Sequence, residues 1–123
     1  MNFNSILIGT ADPGRLIDYY TRVFGEPAWH EGGFAAWMIG TGVISIGEHS
    51  EVHGTNAEPG RILINLESLD VRGDFARLQA TGATVVREPY EFEGEPGTTI
   101  ATFSDPDGNY FQLMSPIPLP AAG

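Results

Sequence analysis

The sequence predicts an α+β fold made of two βαβββ modules, whose paired curved mixed sheets surround a cleft while the helices cover the outer faces. Two observations predict it. Two stretches of the chain share one layout, which is a strand, a helix that a glycine ends, and three short strands. Each stretch alone would leave one sheet face uncovered, so the two are expected to share a cleft. The repeat is one of pattern and not of letters.

The first module is expected over about residues 1–48. "NSILIGT" is typical of a strand, after which Asp12 can cap a helix with Pro13 at its first position. Gly25 ends this helix, as a left-handed residue after a helix should. The helix carries an apolar stripe of Leu16, Ile17, Tyr20, Val23 and Phe24. Three short strands follow, "PAWHE", "FAAWMIG" and "VISIGE", with glycine turns between them.

The second module is expected over about residues 61–115, after a linker at about 49–60 and before a Pro-rich tail at 116–123. "RILINLE" is its first strand, and Asp70 can cap a helix that Gly82 ends. The apolar side chains of this helix are Val71, Phe75 and Leu78. The last three strands are "TVVREPYEF", "TTIATF" and "NYFQLM". The modules therefore form one domain of two similar halves.

Length and composition narrow the classes of function. The chain has 123 residues, of which 41% are hydrophobic, and this suits one folded domain. The net charge of −10 would repel a phosphate backbone, so no nucleic-acid partner is expected. The lack of cysteine excludes disulfides, thiolate ligands and cysteine nucleophiles. No apolar run could span a bilayer and no secretory signal is evident, so we expect a cytoplasmic protein without a membrane partner.

Alternation along the strands assigns each one a helix-facing side and a cleft-facing side. The helix-facing residues are expected to be Ile6, Ile8, Ile44, Ile46, Ile62, Ile64, Leu66, Phe111 and Leu113. The cleft-facing residues are expected to be Ser5, Leu7, Gly9, Val43, Ser45, Gly47, Leu63, Asn65, Glu67, Tyr110, Gln112 and Met114. The first set is apolar and the second is mixed, as a buried side and a ligand-lining side should be.

Two motifs carry a resemblance to a known family: "ADPGRLIDYYTRVFGE" in the first helix and "FSDPDGNYFQL" in the last hairpin. With them, nearly the whole chain resembles the vicinal oxygen chelate superfamily, which includes glyoxalase I, extradiol dioxygenases and the fosfomycin- and bleomycin-resistance proteins. Within "SDPDG", Pro106 and Gly108 have turn chemistry, and the carboxylate of Asp105 can bond back to the backbone. We therefore interpret Asp105 and Asp107 as turn formers and not as catalysts.

In metal-using members of this superfamily, mostly His and Glu side chains from the first, fourth, fifth and last strands hold one divalent ion. The resemblance maps these positions approximately onto Ser5, Ser45, Leu63 and Gln112. A shift of register in the fifth strand brings in Asn65 and Glu67 at best. Two hydroxyls, a leucine and a neutral amide would bind a hard divalent ion poorly. We therefore expect neither a metal nor another cofactor, and Gln112 stands where metal-using relatives carry glutamate.

The histidines offer weaker candidates. "GEHSEVHG" places His49 and His53 four residues apart, which on a helix could ligate zinc. Glycines bracket this stretch and it lacks an apolar stripe, so a solvated loop in the linker is the preferred interpretation. His30, next to Trp29, could face the cleft as an acid or base, although a half-buried hairpin histidine is the commoner situation.

Aromatic and acidic residues suggest what the cleft would bind. The aromatic residues predicted on strands near the cleft are Trp29, Phe34, Trp37, Tyr90, Phe92 and Tyr110. Glu88, Glu91, Glu93 and Glu95 lie in or near "EFEGEPG", a loop that could close over a ligand or remain merely solvated. Aromatic faces attract planar and cationic ligands. Bleomycin-resistance proteins resemble this chain in size, acidity and aromatic content, and that resemblance implies a homodimer that binds a small molecule without metal.

The first hypothesis is therefore a metal-independent protein that binds an aromatic or cationic metabolite or antibiotic. Its expected ligand-binding residues are Ser5, Leu7, Trp37, Ser45, Leu63, Asn65, Glu67, Tyr90, Phe92, Tyr110, Gln112 and Met114. The second is an enzyme of the same superfamily, a lyase, isomerase or dioxygenase. It would be metal-dependent, or would use Glu67 or His30 as base with Gln112 or Tyr110 holding an oxyanion. The third is an interaction domain with a filled cleft.

Overall fold

A computed structural model describes residues 1–116 of the chain and confirms two βαβββ modules, each with one helix and a four-stranded mixed sheet. The elements of the first module are β1 (Ser5–Thr10), α1 (Pro13–Phe24), β2 (Trp29–Glu31), β3 (Phe34–Ile39) and β4 (Gly42–Glu48). Those of the second are β5 (Ile64–Glu67), α2 (Val71–Ala80), β6 (Thr84–Glu91), β7 (Thr99–Ser104) and β8 (Tyr110–Met114). The expected Pro-rich tail lies outside the described residues except for Pro116.

The two sheets have the same topology. In the first sheet the strand order is β1-β4-β3-β2, with β1 parallel to β4. In the second the order is β5-β8-β7-β6, with β5 parallel to β8. All other neighbours are antiparallel. In each module, therefore, the first strand pairs with the last, and the helix provides the crossover that a parallel pair requires.

Helix α1 begins and ends as the sequence predicts. The Asp12 carboxylate accepts a hydrogen bond from the Arg15 N–H at 3.1 Å, and Pro13 opens the helix. Gly25, at φ 89°, closes it with an N–H bond to the Thr21 carbonyl. The buried side chains of α1 are Leu16, Ile17, Tyr19, Tyr20 and Val23. They cover one face of the first sheet, where Ile8, Ala35, Ile44 and Ile46 are also buried.

Helix α2 covers one face of the second sheet in the same way. Asp70 caps it by accepting the Gly73 N–H at 3.0 Å. The Phe75 ring of α2 stacks on Phe103 of β7 with centroids 5.2 Å apart, and Phe103 stacks on Phe111 of β8 at 5.4 Å. Phe103 and Phe111 are at most 1% exposed. This column of rings is the centre of the second core.

The strand expected over residues 61–67 begins late. Residues Pro59–Arg61 form a 3-10 turn, in which the Arg61 N–H donates to the Glu58 carbonyl at 3.0 Å. Ile62, expected to pack under the helix, is 71% exposed, and Leu63 is 39% exposed and also precedes β5. Pro59 fixes the backbone at the start of the turn and so delays the strand. The helix-facing side of β5 is thus carried by Ile64 and Leu66 alone.

The described chain divides into two compact units, and the first gathers residues 1–57 together with the turn Asp105–Asn109. Residues 49–57, expected to be part of a linker, therefore group with the first unit. Two backbone bonds account for this: the His49 N–H donates to the Thr10 carbonyl at 3.0 Å, and the Asn56 N–H donates to the Asp107 carbonyl at 2.8 Å.

The turn Asp105–Asn109 has buried carboxylates that do more than form the turn. Asp105 accepts the backbone N–H groups of Asp107 and Asn109, as an aspartate in a turn should. Its other oxygen accepts the Tyr20 hydroxyl at 2.7 Å. Asp107 accepts the Thr10 hydroxyl at 2.5 Å and pairs with Arg15 at 2.6 Å. Burial, and then the Asp105 carboxylate, raise the pKa of Tyr20, so Tyr20 stays a neutral hydrogen-bond donor.

No helix among residues 1–116 is long and apolar enough to cross a membrane.

Candidate functional site

In each module one sheet face is covered by the module's helix, and the other face, here called the helix-free face, carries the candidate functional residues. Paired residues of adjacent strands lie on the same face, so the registers define both faces. In the second module the helix-free face carries Asn65, Glu67, Arg87, Tyr90, Ile100, Thr102, Ser104, Tyr110, Gln112 and Met114. In the first it carries Ser5, Leu7, Gly9, Trp29, Glu31, Phe34, Ala36, Met38, Val43, Ser45 and Gly47.

Gln112 is the centre of the helix-free face of the second module. It lies between Asn65 on β5 and Thr102 on β7. Its Nε2 donates to the Thr102 hydroxyl at 2.9 Å. Because Thr102 engages the amide nitrogen, the amide oxygen of Gln112 can serve as an acceptor for another group. Gln112 is half-buried and Thr102 is only 6% exposed, which strengthens polar contacts made there.

The next row of this face combines an acid with apolar groups. Glu67 on β5 pairs with Met114 on β8, and Met114 pairs with Ile100 on β7. Glu67 is exposed, whereas Met114 is half-buried. Tyr110 lies at the other end of β8, beside Ser104, and is also half-buried. Asn65, Glu67, Tyr110, Gln112 and Met114 therefore share a face, as the alternation of the strands predicts.

Arg87 and Tyr90, on the edge strand β6, complete this face. Arg87 pairs with Thr102 and Tyr90 pairs with Ile100. The guanidinium carbon of Arg87 lies 3.5 Å from the centroid of the Tyr90 ring. In a regular strand, residues three apart point to opposite faces. Register shifts on both sides of Arg87 bring the two side chains together.

The helix-free face of the first module is more apolar. Leu7, Trp29, Phe34 and Met38 are each between 45% and 62% exposed. The Phe34 ring lies directly on Gly47, where an added Cβ would come within 2.4 Å of a ring carbon, so a larger residue at this position would displace the ring. Ser45 donates its hydroxyl to the Ile6 carbonyl at 3.2 Å. Ser5 pairs with Val43, one step along from the Leu7–Ser45 pair.

Two expected site residues lie elsewhere. Trp37 is 2% exposed on the helix-covered face of the first sheet, where its indole N–H donates to the Gly25 carbonyl at 2.8 Å. It pairs with Ile44, so strand phase makes it a core residue and not a ligand contact. His30 pairs with Ala35, which is buried under α1, so His30 is on the opposite face from Ser45. In both cases the alternation of side chains along β2 and β3 places the residue on the helix-covered face.

Phe92 follows the end of β6, where its backbone N–H donates to the Thr98 carbonyl at 2.8 Å. Its side chain is 47% exposed. A backbone hydrogen bond between Phe92 and Thr98 thus spans the loop "EFEGEPG".

Comparisons with known proteins identify the family. The family model described as Glyoxalase/Bleomycin resistance protein/Dioxygenase superfamily matches residues 2–113. The chain belongs to this superfamily. No curated protein matches the chain significantly.

Several solved structures have a similar fold. A glyoxalase-related enzyme from Fulvimarina pelagi is 19% identical, with 99% of this chain and 94% of that one covered and a TM-score of 0.75. TioX from Micromonospora sp. ML1 is 20% identical, with 95% and 100% covered and a TM-score of 0.71. A glyoxalase/bleomycin resistance protein/dioxygenase family enzyme from Burkholderia phytofirmans PsJN is 22% identical, with 93% and 98% covered and a TM-score of 0.70. Identities this low show the fold alone.

The residues at the superfamily's expected metal positions do not fit a divalent ion. In the first module they are Ser5 and Ser45, and the Ser45 hydroxyl already donates to a backbone carbonyl. In the second they are Leu63, whose side chain has no atom that can ligate a metal, and Gln112, which offers one neutral oxygen. Because Leu63 precedes β5, the β5 residue beside Gln112 is Asn65, whose amide also offers one neutral oxygen. Hard divalent ions prefer several carboxylate oxygens or imidazoles. Within residues 1–116, no three His, Asp or Glu side chains are close enough together to hold a metal ion.

The two linker histidines have separate surroundings. The Nδ1 of His49 accepts the Glu51 N–H at 3.2 Å. His53 lies at a cavity of about 230 Å³ that Gly9, Asn56 and Asn109 also line. His49 begins a turn in which the Val52 N–H donates to its carbonyl. His49 and His53 are therefore not on a helix, where their four-residue spacing could have ligated zinc.

Proposed function

We propose that this superfamily member is a metal-independent small-molecule binding protein, and that its ligand is aromatic or cationic and lies on the helix-free face of the second module. The observation that carries the proposal is the hydrogen bond from the Gln112 amide to the Thr102 hydroxyl, which engages Gln112 as a neutral polar group where the resemblance maps a metal position of the superfamily. An amide fixed in this way suits recognition of an organic ligand better than ligation of an ion.

The surroundings of Gln112 support an aromatic ligand. Tyr90, Tyr110 and Met114 are half-buried on the same face, and aromatic and thioether side chains favour flat ligands. A cationic ligand would gain from the net charge of −10 and from Glu67 beside Met114. In the second module, Leu63, Asn65 and Phe92 complete the proposed ligand-binding residues. Ser5, Leu7 and Ser45 remain predicted ligand contacts on the helix-free face of the first module.

Binding of simple aromatic probes tests this proposal. Benzamide and benzylamine, titrated into ¹⁵N-labelled protein after chelator treatment, are expected to shift the amide signals of Tyr90, Thr102 and Gln112 saturably. Gln112→Ala should weaken benzamide binding by about three- to tenfold, because one hydrogen bond in a half-buried site is lost. Gln79→Ala, an exposed change on α2, is the matched control and should leave the affinity unchanged. Equal affinity in the Gln112→Ala variant would show that Gln112 has no role in binding.

A metal-free enzyme of the superfamily is the second candidate, and the position of Glu67 favours it. Its exposed carboxylate lies on the same face as Gln112 and Tyr110, so it could serve as base while one of them holds an oxyanion. His30 lies on the helix-covered side of the first sheet. Turnover that survives chelator and disappears in Glu67→Gln would favour this candidate over simple binding.

We also propose that the protein is a homodimer, on the resemblance to bleomycin-resistance proteins alone. Sedimentation as a monomer at roughly tens of micromolar would contradict the dimer.

A further inference from the structure

Arg87 differs from four of the other five arginines of the chain, and only Arg72 on α2 is likewise without an ion pair among residues 1–116. All six basic residues are arginines, and Arg15, Arg22, Arg61 and Arg77 each lie within 4.0 Å of a carboxylate. Among residues 1–116, Arg87 makes no ion pair or hydrogen bond, although the chain has 16 acidic residues. It is exposed at the edge of the helix-free face that we propose for the ligand.

The contact with Tyr90 sets the orientation of the guanidinium. Its central carbon lies 3.5 Å from the ring centroid, which is the van der Waals separation of two planar groups. An N–H directed at the ring would hold that carbon farther away, so the two groups lie face to face. Stacking occupies one face of the guanidinium and leaves the N–H donors on its edge unused. Tyr90 therefore orients the Arg87 guanidinium so that two N–H donors on its edge can bind one bidentate partner.

The row of residues beside Arg87 continues across the sheet. Arg87 pairs with Thr102, Thr102 with Gln112, and Gln112 with Asn65. Adjacent strands are about 4.8 Å apart, so Gln112 lies about 10 Å from Arg87 along this row. A ligand group bound at the edge of Arg87 would place the next part of the ligand over Thr102 and within reach of the Gln112 carbonyl.

We propose that the ligand of this face is an aromatic carboxylate, and that Arg87 binds its carboxylate while the ring extends over Thr102 and Gln112. The inference rests on the proposed function, since it names the ligand class of the same site. A planar carboxylate matches the two parallel N–H donors of a guanidinium edge. The net charge of the protein disfavours anions at long range, so binding depends on this local pair.

Benzoate is the probe that tests this inference, with benzamide as its neutral counterpart and benzylamine as its cationic one. In ¹⁵N-labelled protein at fixed ionic strength, benzoate is expected to shift the signals of Arg87, Tyr90, Thr102 and Gln112 saturably. It should bind at least about fivefold more tightly than benzamide, because a charge-assisted bidentate contact replaces a neutral one. The Arg87 side-chain N–H signal should move with the same dissociation constant.

Arg87→Gln should weaken benzoate binding by about five- to tenfold and leave benzamide binding within about twofold of the original, so that the preference for the anion is lost. Arg72→Gln is the matched control, since Arg72 is exposed on α2 and its loss changes the net charge equally. If Arg87→Gln and Arg72→Gln weakened benzoate binding equally, the change in net charge would explain the loss, and the inference would be overturned.

The three probes separate the inference from the proposed function. If benzamide or benzylamine binds this face and benzoate does not, the proposal of an aromatic carboxylate is wrong, while the proposed binding function stands. If none of the three shifts these signals, the inference and the aromatic ligand of the proposed function both fail.

Discussion

Asp105→Ala is expected to lower the free energy of unfolding by about 3–5 kcal/mol, which is a large part of the stability of a domain of this size. The carboxylate is 4% exposed and accepts the Tyr20 hydroxyl and the backbone N–H groups of Asp107 and Asn109. Its removal leaves these donors buried without their acceptor, and each such donor costs about 1–3 kcal/mol. Urea denaturation of both proteins at pH 7 measures the difference.

Asp18→Ala is the control for Asp105→Ala, because it removes the same charge from an exposed helix position. Among residues 1–116, Asp18 pairs only with Arg22, at 3.5 Å, and a pair of this kind contributes about 0.3–0.5 kcal/mol. If the two variants were equally stable, the turn carboxylate would have no special structural role.

Phe103→Ala is expected to cost about 3–5 kcal/mol, the usual range for removing a buried phenylalanine. Phe103 is fully buried between Phe75 and Phe111, so the deletion interrupts the column of rings under α2 and leaves a cavity. The thermal midpoint should fall by roughly 10 °C or more, given the unfolding entropy of a domain of this length.

Phe92→Ala, in the same module, is the matched control for Phe103→Ala. Its side chain is 47% exposed, so the expected loss is below about 1 kcal/mol. A Phe103→Ala variant no less stable than Phe92→Ala would mean that the core of the second module lies elsewhere.

Much of the fold follows from local sequence features that act within one turn or strand. Asp12 with Pro13 fixes the start of α1, and Asp70 fixes the start of α2. Alternation along β8 places Gln112 and Phe111 on opposite faces of the sheet. The late start of β5 was missed because Pro59 begins a 3-10 turn, which competes with extended structure for the same residues.

The site was harder to predict because it depends on features that strand periodicity does not contain. Trp37 was assigned to the ligand on its aromatic character, while its strand phase buries it under α1. Regular alternation places Arg87 and Tyr90 on opposite faces of a strand, so the sequence alone does not predict their contact. The register shifts in β6 bring the pair together, and Pro89, which lacks a backbone N–H, lies within the shifted stretch. The SDPDG motif indicated a turn, but its buried bonds to Thr10 and Tyr20 connect residues distant in sequence.

Metal content tests the central claim of a metal-independent binding protein most directly. Protein stripped with chelator is dialysed against micromolar Zn²⁺, Mn²⁺ and Ni²⁺, and bound metal is measured by mass spectrometry. Because Ser5, Ser45, Leu63 and Gln112 supply neither carboxylate nor imidazole, we predict less than about 0.1 ion per chain and unchanged benzamide binding. About one ion per chain, retained at sub-micromolar free metal and required for ligand binding, would contradict the claim.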